Sequence, residues 1–367
     1  LSQNKESTFK GCTSLVGGAG TAYSSSHVDG NYAHIDGGPS NPGYFTDISD
    51  KPAGASALAD FDSEDDLSAA SLDDEASALA ATNSGTCGTC LWEFGDDGVF
   101  TIKPADGVEG TLGSMSYYNH DGAIIVPWRS LDKSGITNIK IEGTIHAGQY
   151  VEAMFQGFSN VVSMDLAGFD TSAVKSMRAM FNGCGKLASL DLSGFKTSNV
   201  TEMRNMFDGC ASLTSLDLSS FDTSRVTNME SMFSSCSSLA SLKLSGFNTS
   251  LVTSMGWMFY GCRSLESLDL SSFSTPLLTS MNHAFNGCAS LKSLDVRNFD
   301  TSNAAVDGML LNCSSLSKIV LGEAPFCKGS DGVAALPVPS PTSQFTGKWV
   351  CEDNPSLVLD AWALSNS

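Results

Sequence analysis

Cysteine is the residue whose spacing first points to chemistry. Cys184, Cys210, Cys236, Cys262 and Cys288 recur every 26 residues, Cys313 follows after 25, and Phe158 fills the slot one step before Cys184. Eleven cysteines in a small secreted domain would suggest a disulfide framework. A residue that recurs once per coil instead stacks on itself, and a thiol packs well as a small buried hydrophobe. Such a ladder spreads its sulfurs along an axis, whereas tetrahedral zinc needs ligands that converge. The six are expected to form a buried, reduced structural ladder with no metal and no cofactor. Cys12, Cys87, Cys90, Cys327 and Cys351 remain. Cys87-Gly-Thr-Cys90 has redox-motif spacing, but no helix or βαβ pattern follows it, so a structural or free pair is expected. Cys327 and Cys351 are close enough in sequence to pair at a C-terminal cap, and their spacing leaves that open.

Other reactive groups lack the company that catalysis needs. His27, His34, His120, His146 and His283 are scattered, and neither a Gly-x-Ser-x-Gly elbow nor a His-Glu-x-x-His pair occurs. His27, Asp29, His34 and Asp36 invite a metal reading, but their spacing fits no standard loop, and polar loop residues are expected. The glycine run Val16-Gly17-Gly18-Ala19-Gly20 has no strand before it and no third fingerprint glycine, so it is a weak nucleotide signal. Acidic residues crowd Asp60 to Asp66 and Asp73 to Glu75 without the glycine-bent loop of a calcium site. An enzyme is not expected. Forty acidic residues against twenty basic give a net charge of −20, which weighs against nucleic acid and anionic membrane as partners. No run of about 18 apolar residues is present to cross a bilayer.

The cysteines mark the period of a repeat. Its text is Leu-x-Ser-Leu-Asp-Leu-Ser-x-Phe-Asp-Thr-Ser-x-Val-Thr-x-Met-x-x-Met-Phe-x-Gly-Cys, and a period of 20–50 residues is the mark of a solenoid. Leu187, Leu190 and Leu192 have the spacing of a leucine-rich strand segment, and seven rungs at about 4.8 Å each make an array on the order of 30 Å long. Asp170, Asp222, Asn248 and Asp300 follow the phenylalanine slot, where side-chain oxygens hold a turn or cap a short helical return. Val200, Met203, Met206 and Phe207 should face inward. The chain divides into the end and cap of a preceding array (1–45), an acidic flexible linker (46–84), an N-terminal β cap (85–154), the solenoid (155–322) and a C-terminal cap (323–367). In the N-terminal cap, Asp97-Gly98 predicts a hairpin turn. Alternation predicts a strand over 136–145. Trp92, Tyr117 and Trp128 should cover the first coil. Thr346 to Val350 reads as a closing strand.

Strand alternation turns Ser189, Asp191 and Ser193 outward, with their copies in each rung. Asp165, Asp191, Asp217, Lys243, Asp269, Asp295 and Arg297 are therefore candidate binding residues. Aspartates stacked about 5 Å apart repel, and Lys243 should relieve the column. Two readings stand: an acidic, hydroxyl-rich surface for a basic protein patch or a glycan, or generic repeat text kept for solubility. Trp257 occupies a slot that holds Asn205, Ser231 and His283 in other rungs. It is an exposed anchor or it folds over Gly256 onto the return arm.

The repeat, from Leu187-Ala-Ser-Leu190-Asp-Leu192 through Val200, Met203, Met206, Phe207 and Gly209-Cys210, resembles the BspA-like leucine-rich-repeat surface proteins of bacteria. The resemblance is strong over about half the chain. It implies a secreted or wall-anchored protein used for adhesion to host or neighbouring cells, and it carries over neither catalytic nor binding residues. The expected fold is an α/β-type repeat, a right-handed leucine-rich-repeat solenoid. A parallel sheet lies on one face, with short helical or irregular return arms and β-containing caps. The expected role is a non-enzymatic extracellular binding module, with a structural spacer as the alternative.

Overall fold

The computed structural model describes residues 83–116 and 125–321, together with the backbone of two short strands further on. All of these belong to one unit, Ala78–Ser367. The expected array end at 1–45, the acidic segment through residue 82, Tyr117, His120, Cys12, Cys327 and Cys351 lie outside the described residues.

The N-terminal cap opens with an antiparallel meander of β1 (Ser84–Cys87), β2 (Cys90–Phe94) and β3 (Val99–Pro104). The Asp97-Gly98 turn forms here. Gly98 takes φ +79° and donates its N–H to the Gly95 carbonyl at 3.1 Å. After β4 (Glu109–Thr111), the stretch predicted as one strand over 136–145 is two, β5 (Asn138–Ile141) and β6 (Thr144–His146). Gly143 separates them at φ +71°, a conformation that glycine adopts without steric cost. The bend lets the two strands join different sheets. β5 lies parallel between β3 and β7 (Ser163–Asp165), and β6 lies parallel between β4 and β8 (Phe169–Asp170). Trp92, Phe100, Trp128 and Phe158 close over the first coil with ring centroids 5.3–6.0 Å apart. The Trp128 indole N–H reaches the Met154 carbonyl at 2.7 Å, so the buried ring keeps its donor satisfied.

Each solenoid rung buries the same set of side chains. In one rung Met203, Met206, Phe207, Cys210, Leu213, Leu216, Leu218, Phe221 and Val226 are all buried. Phe181, Phe207, Phe233, Phe259 and Phe285 stack face to face along the axis at 5.3–5.6 Å. Each such ring contributes about 1.5–3 kcal/mol by leaving water.

The return arm contains no helix among the described residues. A helix would spend each N–H on a carbonyl four residues back. Here alternate N–H groups point to the next rung instead. Val151, Ala153, Phe155 and Gly157 donate to the carbonyls of Ser176, Arg178, Met180 and Asn182, and later rungs repeat the pattern. The arm turns through left-handed residues at fixed slots, such as Ala179, Asn205, Ser231, Trp257 and His283, with φ of 52–57°. Of the two roles expected for the slot after the phenylalanine, a turn or a helix cap, these side chains take the turn. Asp170, Asp222, Asn248 and Asp300 each accept the N–H two residues on, at 2.9–3.2 Å.

The strand face pairs in segments rather than as one sheet. β9 (Ser215–Asp217) pairs with β10 (Ser241–Lys243), and β11 (Ser293–Val296) with β12 (Lys318–Leu321), all parallel. The stretches around Leu190 and Leu268 form no strand, although their Ser-Leu-Asp-Leu text is that of β9. The breaks at Asp191 and between Asp269 and Asp295 follow charge, and the break between Lys243 and Asp269 does not. Strands pair where the aspartate column is interrupted, with Asp165 opposite Lys140, Asp217 opposite Lys243 and Asp295 opposite Val320. They part where aspartate would lie on aspartate, at Asp191 and between Asp269 and Asp295, because like charges directly opposite destabilise a ladder. Lys243 does not hold Asp269, being committed to Asp217 at 2.7 Å. Further on, β13 (Trp349–Val350) pairs antiparallel with β14 (Val358–Leu359).

Candidate binding surface

Between strand face and return arm the rungs are joined by threonine side chains. Thr171, Thr197, Thr223, Thr249 and Thr275 are buried, and each hydroxyl bridges to the next rung. Thr223 donates to the Asn248 carbonyl at 2.9 Å and accepts the Asn248 N–H at 2.8 Å. The threonine hydroxyl thus takes the place of a missing backbone ladder. The cysteines do comparable work. All six ladder thiols are at most 1% exposed. Each S–H points at the carbonyl of the phenylalanine one rung earlier, at 3.1–3.3 Å, from Cys184 to Phe155 through Cys313 to Phe285. In these six rungs the cysteine is thus more than a small hydrophobe, because its S–H is also a weak donor. Burial pushes the thiols of Cys210, Cys262 and Cys313 up to about 12. Cys87 and Cys90 face each other across the β1–β2 turn, both buried thiols, and burial pushes Cys90 up to about 11.

The candidate residues of the strand face are exposed: Asp165, Asp191, Asp217, Lys243, Asp269, Asp295 and Arg297. Asp165, Asp191, Asp217, Asp269 and Asp295 each accept the backbone N–H two residues on, at 2.9–3.1 Å. The Ser193 N–H holds the Asp191 carboxyl below its ordinary range. The Lys243 ammonium does the same to Asp217, aided by Ser219. Arg297 pairs with Asp295 in its own rung, Nη2 to Oδ2 at 2.7 Å. Asp191 and Asp269 have no ionic partner among the described residues. The surface thus offers exposed carboxylates spaced by the rungs, set among hydroxyls, with two cations already engaged.

Trp257 lies elsewhere, on the return arm. Its side chain is half-buried. Its indole stacks on His283 of the next rung, centroids 5.4 Å apart and planes 24° from parallel. The repeat alignment put His283 in the same slot, and both residues take a left-handed backbone there, at φ 52° and 55°. A second feature was not foreseen from sequence. His146 in β6 bridges two strands of its sheet, with Nδ1 3.0 Å from Asp170 Oδ2 and Nε2 in contact with Glu109 Oε1. Lys196 adds a contact to Asp170 Oδ1 at 3.2 Å. Hydrogen bonds that His146 donates to Glu109 and then to Asp170 raise its pKa. Burial pushes Asp170 up, but the bonds from His146, Ser172 and Lys196 outweigh it and hold the carboxyl at about 2.

Segments 149–243 and 238–321 match a family model described as a Mycoplasma protein of unknown function, DUF285. The two overlapping matches span the solenoid and stop short of half the chain. No curated protein matches the chain by sequence. Solved structures with similarity include a leucine rich cell surface protein from Faecalibacterium prausnitzii, 16% identical, covering 65% of this chain and 94% of that one with a TM-score of 0.28. A leucine-rich repeat protein from Eubacterium ventriosum is 14% identical over 64% of this chain and 83% of its own, with a TM-score of 0.22. One from Bacteroides ovatus is 17% identical over 65% and 76%, also at 0.22. What the chain itself displays is a repeat fold of stacked rungs with parallel strands on one face.

Proposed function

We propose that this chain is a non-enzymatic, extracellular binding module of a bacterial surface protein. Its strand face presents Ser/Asp rungs to a basic patch on a host or cell-surface protein, or to a glycan. The observation that carries this reading is the exposed column Asp165, Asp191, Asp217, Asp269 and Asp295 on a fully packed core. Rigid backing lets a partner meet a pre-arranged charge pattern, which favours fast and specific encounter with a basic surface. The connection from strand to strand is taken as right-handed, the hand that such crossovers adopt. Residues 1–45, 46–84 and 323–367 are taken as the end of an earlier array, a linker and a cap.

The test is a screen of the protein against immobilised host ectodomains, matrix proteins and glycans. A hit should weaken at least tenfold when Asp191, Asp217 and Asp269 are all changed to Lys. Binding that survives this change, or no binding across the panels, sinks the proposal. A second reading, a spacer without its own ligand, is favoured by one fact. Each aspartate of the column already accepts its own turn N–H, so the carboxylates have a structural reason to be there.

A further inference from the structure

The cysteine ladder ends on a charge. Phe158 fills its slot one rung before Cys184, and 25 residues before Phe158 stands Lys133. The Lys133 ammonium lies 5.2 Å from the centre of the buried Phe158 ring and donates to the Arg129 carbonyl at 3.0 Å. Taking an ammonium out of water is costly, and an acidic partner normally offsets the cost. Five other lysines have such a partner: Lys103, Lys140, Lys196, Lys243 and Lys292 reach carboxylates at 2.5–3.2 Å. Lys133 is half-buried and has no acidic partner among the described residues. Burial, and then the neighbouring Arg129 guanidinium, push its pKa down.

Lys133 and Arg129 both stand on the wall of a cavity of about 240 Å³ in the N-terminal cap. Val126, Trp128 and Ala153, all buried, make its apolar side. No acidic side chain lines it among the described residues, in a chain that carries forty of them. Glu152 is tied to the Ser116 and Ser176 hydroxyls at 2.7 Å each and does not belong to the wall. The cavity is thus cationic on one side and apolar on the other. An apolar cavity of about 150 Å³ takes benzene, so this one has room for about ten non-hydrogen atoms.

We propose that this cavity binds a small organic acid, with Lys133 and Arg129 holding its carboxylate and Val126, Trp128 and Ala153 its carbon body. Each half of the ligand answers one half of the wall. A carboxylate supplies the charge that Lys133 lacks, and its two oxygens match the planar fork of a guanidinium. An apolar body of a few carbons gains by leaving water against the Trp128 side. Inorganic phosphate and sulfate fit less well. A dianion without apolar surface loses more hydration on entering such a wall than a monocarboxylate does. A chain of net charge −20 also repels it more strongly. A neutral molecule of the same shape would leave the Lys133 charge uncompensated. The site shares no residue with the strand face, so either proposal can fail without the other.

The test titrates the whole chain with benzoate, phenylacetate and hexanoate, with the matching neutral amides, and with phosphate and sulfate. Tryptophan fluorescence and calorimetry are the readouts. At least one of the acids should bind saturably, one per chain, and perturb indole emission, because Trp128 is part of the wall. Its amide should bind at least tenfold more weakly. Lys133→Met should weaken binding of the acid at least tenfold, and Lys133→Arg should restore most of it. Ala153→Trp brings a large ring into the wall, in a left-handed slot that already takes Trp257, and should block binding in calorimetry while the thermal midpoint is retained. Charge reversal at Asp191, Asp217 and Asp269 should leave binding unchanged. The proposal is overturned if no acid saturates the protein, if the amide binds as tightly as its acid, if Lys133→Met binds like the parent, or if phosphate or sulfate binds more tightly than every organic acid.

Discussion

Thr223→Val tests the idea that side-chain hydroxyls, rather than backbone strands, hold one corner of this solenoid together. The substitution conserves shape and removes one oxygen. That oxygen donates to the Asn248 carbonyl at 2.9 Å and accepts the Asn248 N–H at 2.8 Å, and Thr223 is fully buried. Both bonds are only partly shielded on the Asn248 side, so each is assigned the net worth of an intramolecular bond, about 1 kcal/mol. The expected loss is about 2 kcal/mol. With a urea slope of about 2–3 kcal/mol/M, the midpoint should fall by roughly 0.7–1 M. Thr223→Ser keeps both bonds and loses one methyl, so it should cost about 0.8 kcal/mol. The assay is urea unfolding followed by circular dichroism, with the slope compared across variants. A valine variant within about 0.5 kcal/mol of the parent would refute the hydroxyl bridge, as would a serine variant as damaging as valine. Because stability in a stacked array is summed over rungs and their interfaces, the same change at Thr197 or Thr249 should give a similar loss.

Further outcomes follow from other contacts. Asp191→Lys places a cation between Asp165 and Asp217, and should raise the urea midpoint at low salt. The gain should vanish at 1 M NaCl, where screening acts over about 3 Å, and a gain that ignores salt contradicts the charge account of the broken sheet. His146 has a folded pKa above its ordinary value, so its contribution is fully present below about 6.5 and is lost as pH rises through the folded pKa. His146→Gln should therefore lose stability relative to the parent at pH 5.5 and converge with it at pH 9, and parallel pH profiles would exclude the bridge. On the acid side, Asp170 keeps its contribution down through about pH 4 and loses it as pH falls toward about 2. The ladder thiols, buried and pushed up in pKa, should resist alkylation at pH 8 until denaturant is added. Fast native labelling of Cys210 or Cys262 would contradict their placement.

The period and its consequences could be read from the sequence. A residue that recurs every 26 positions must occupy one place in every coil, so the inward columns of Cys, Phe, Met and Leu followed from spacing alone. Outward alternation of Ser and Asp followed from the strand period of two. The tertiary structure decided whatever depends on the neighbour one rung away. The same Ser-Leu-Asp text is a strand at Asp217 and none at Asp191, because its partner is Lys243 in one case and another aspartate in the other. The return arm has helix-compatible spacing, yet its N–H groups go to the next rung, so turns replace helices. Cysteine could be recognised as a packing residue, but its bond to the phenylalanine carbonyl one rung back could not. Trp257 stood out as a departure from the repeat. Its partner His283 and the glycine that makes room for that ring appear only when rungs 25 or 26 residues apart are laid against each other.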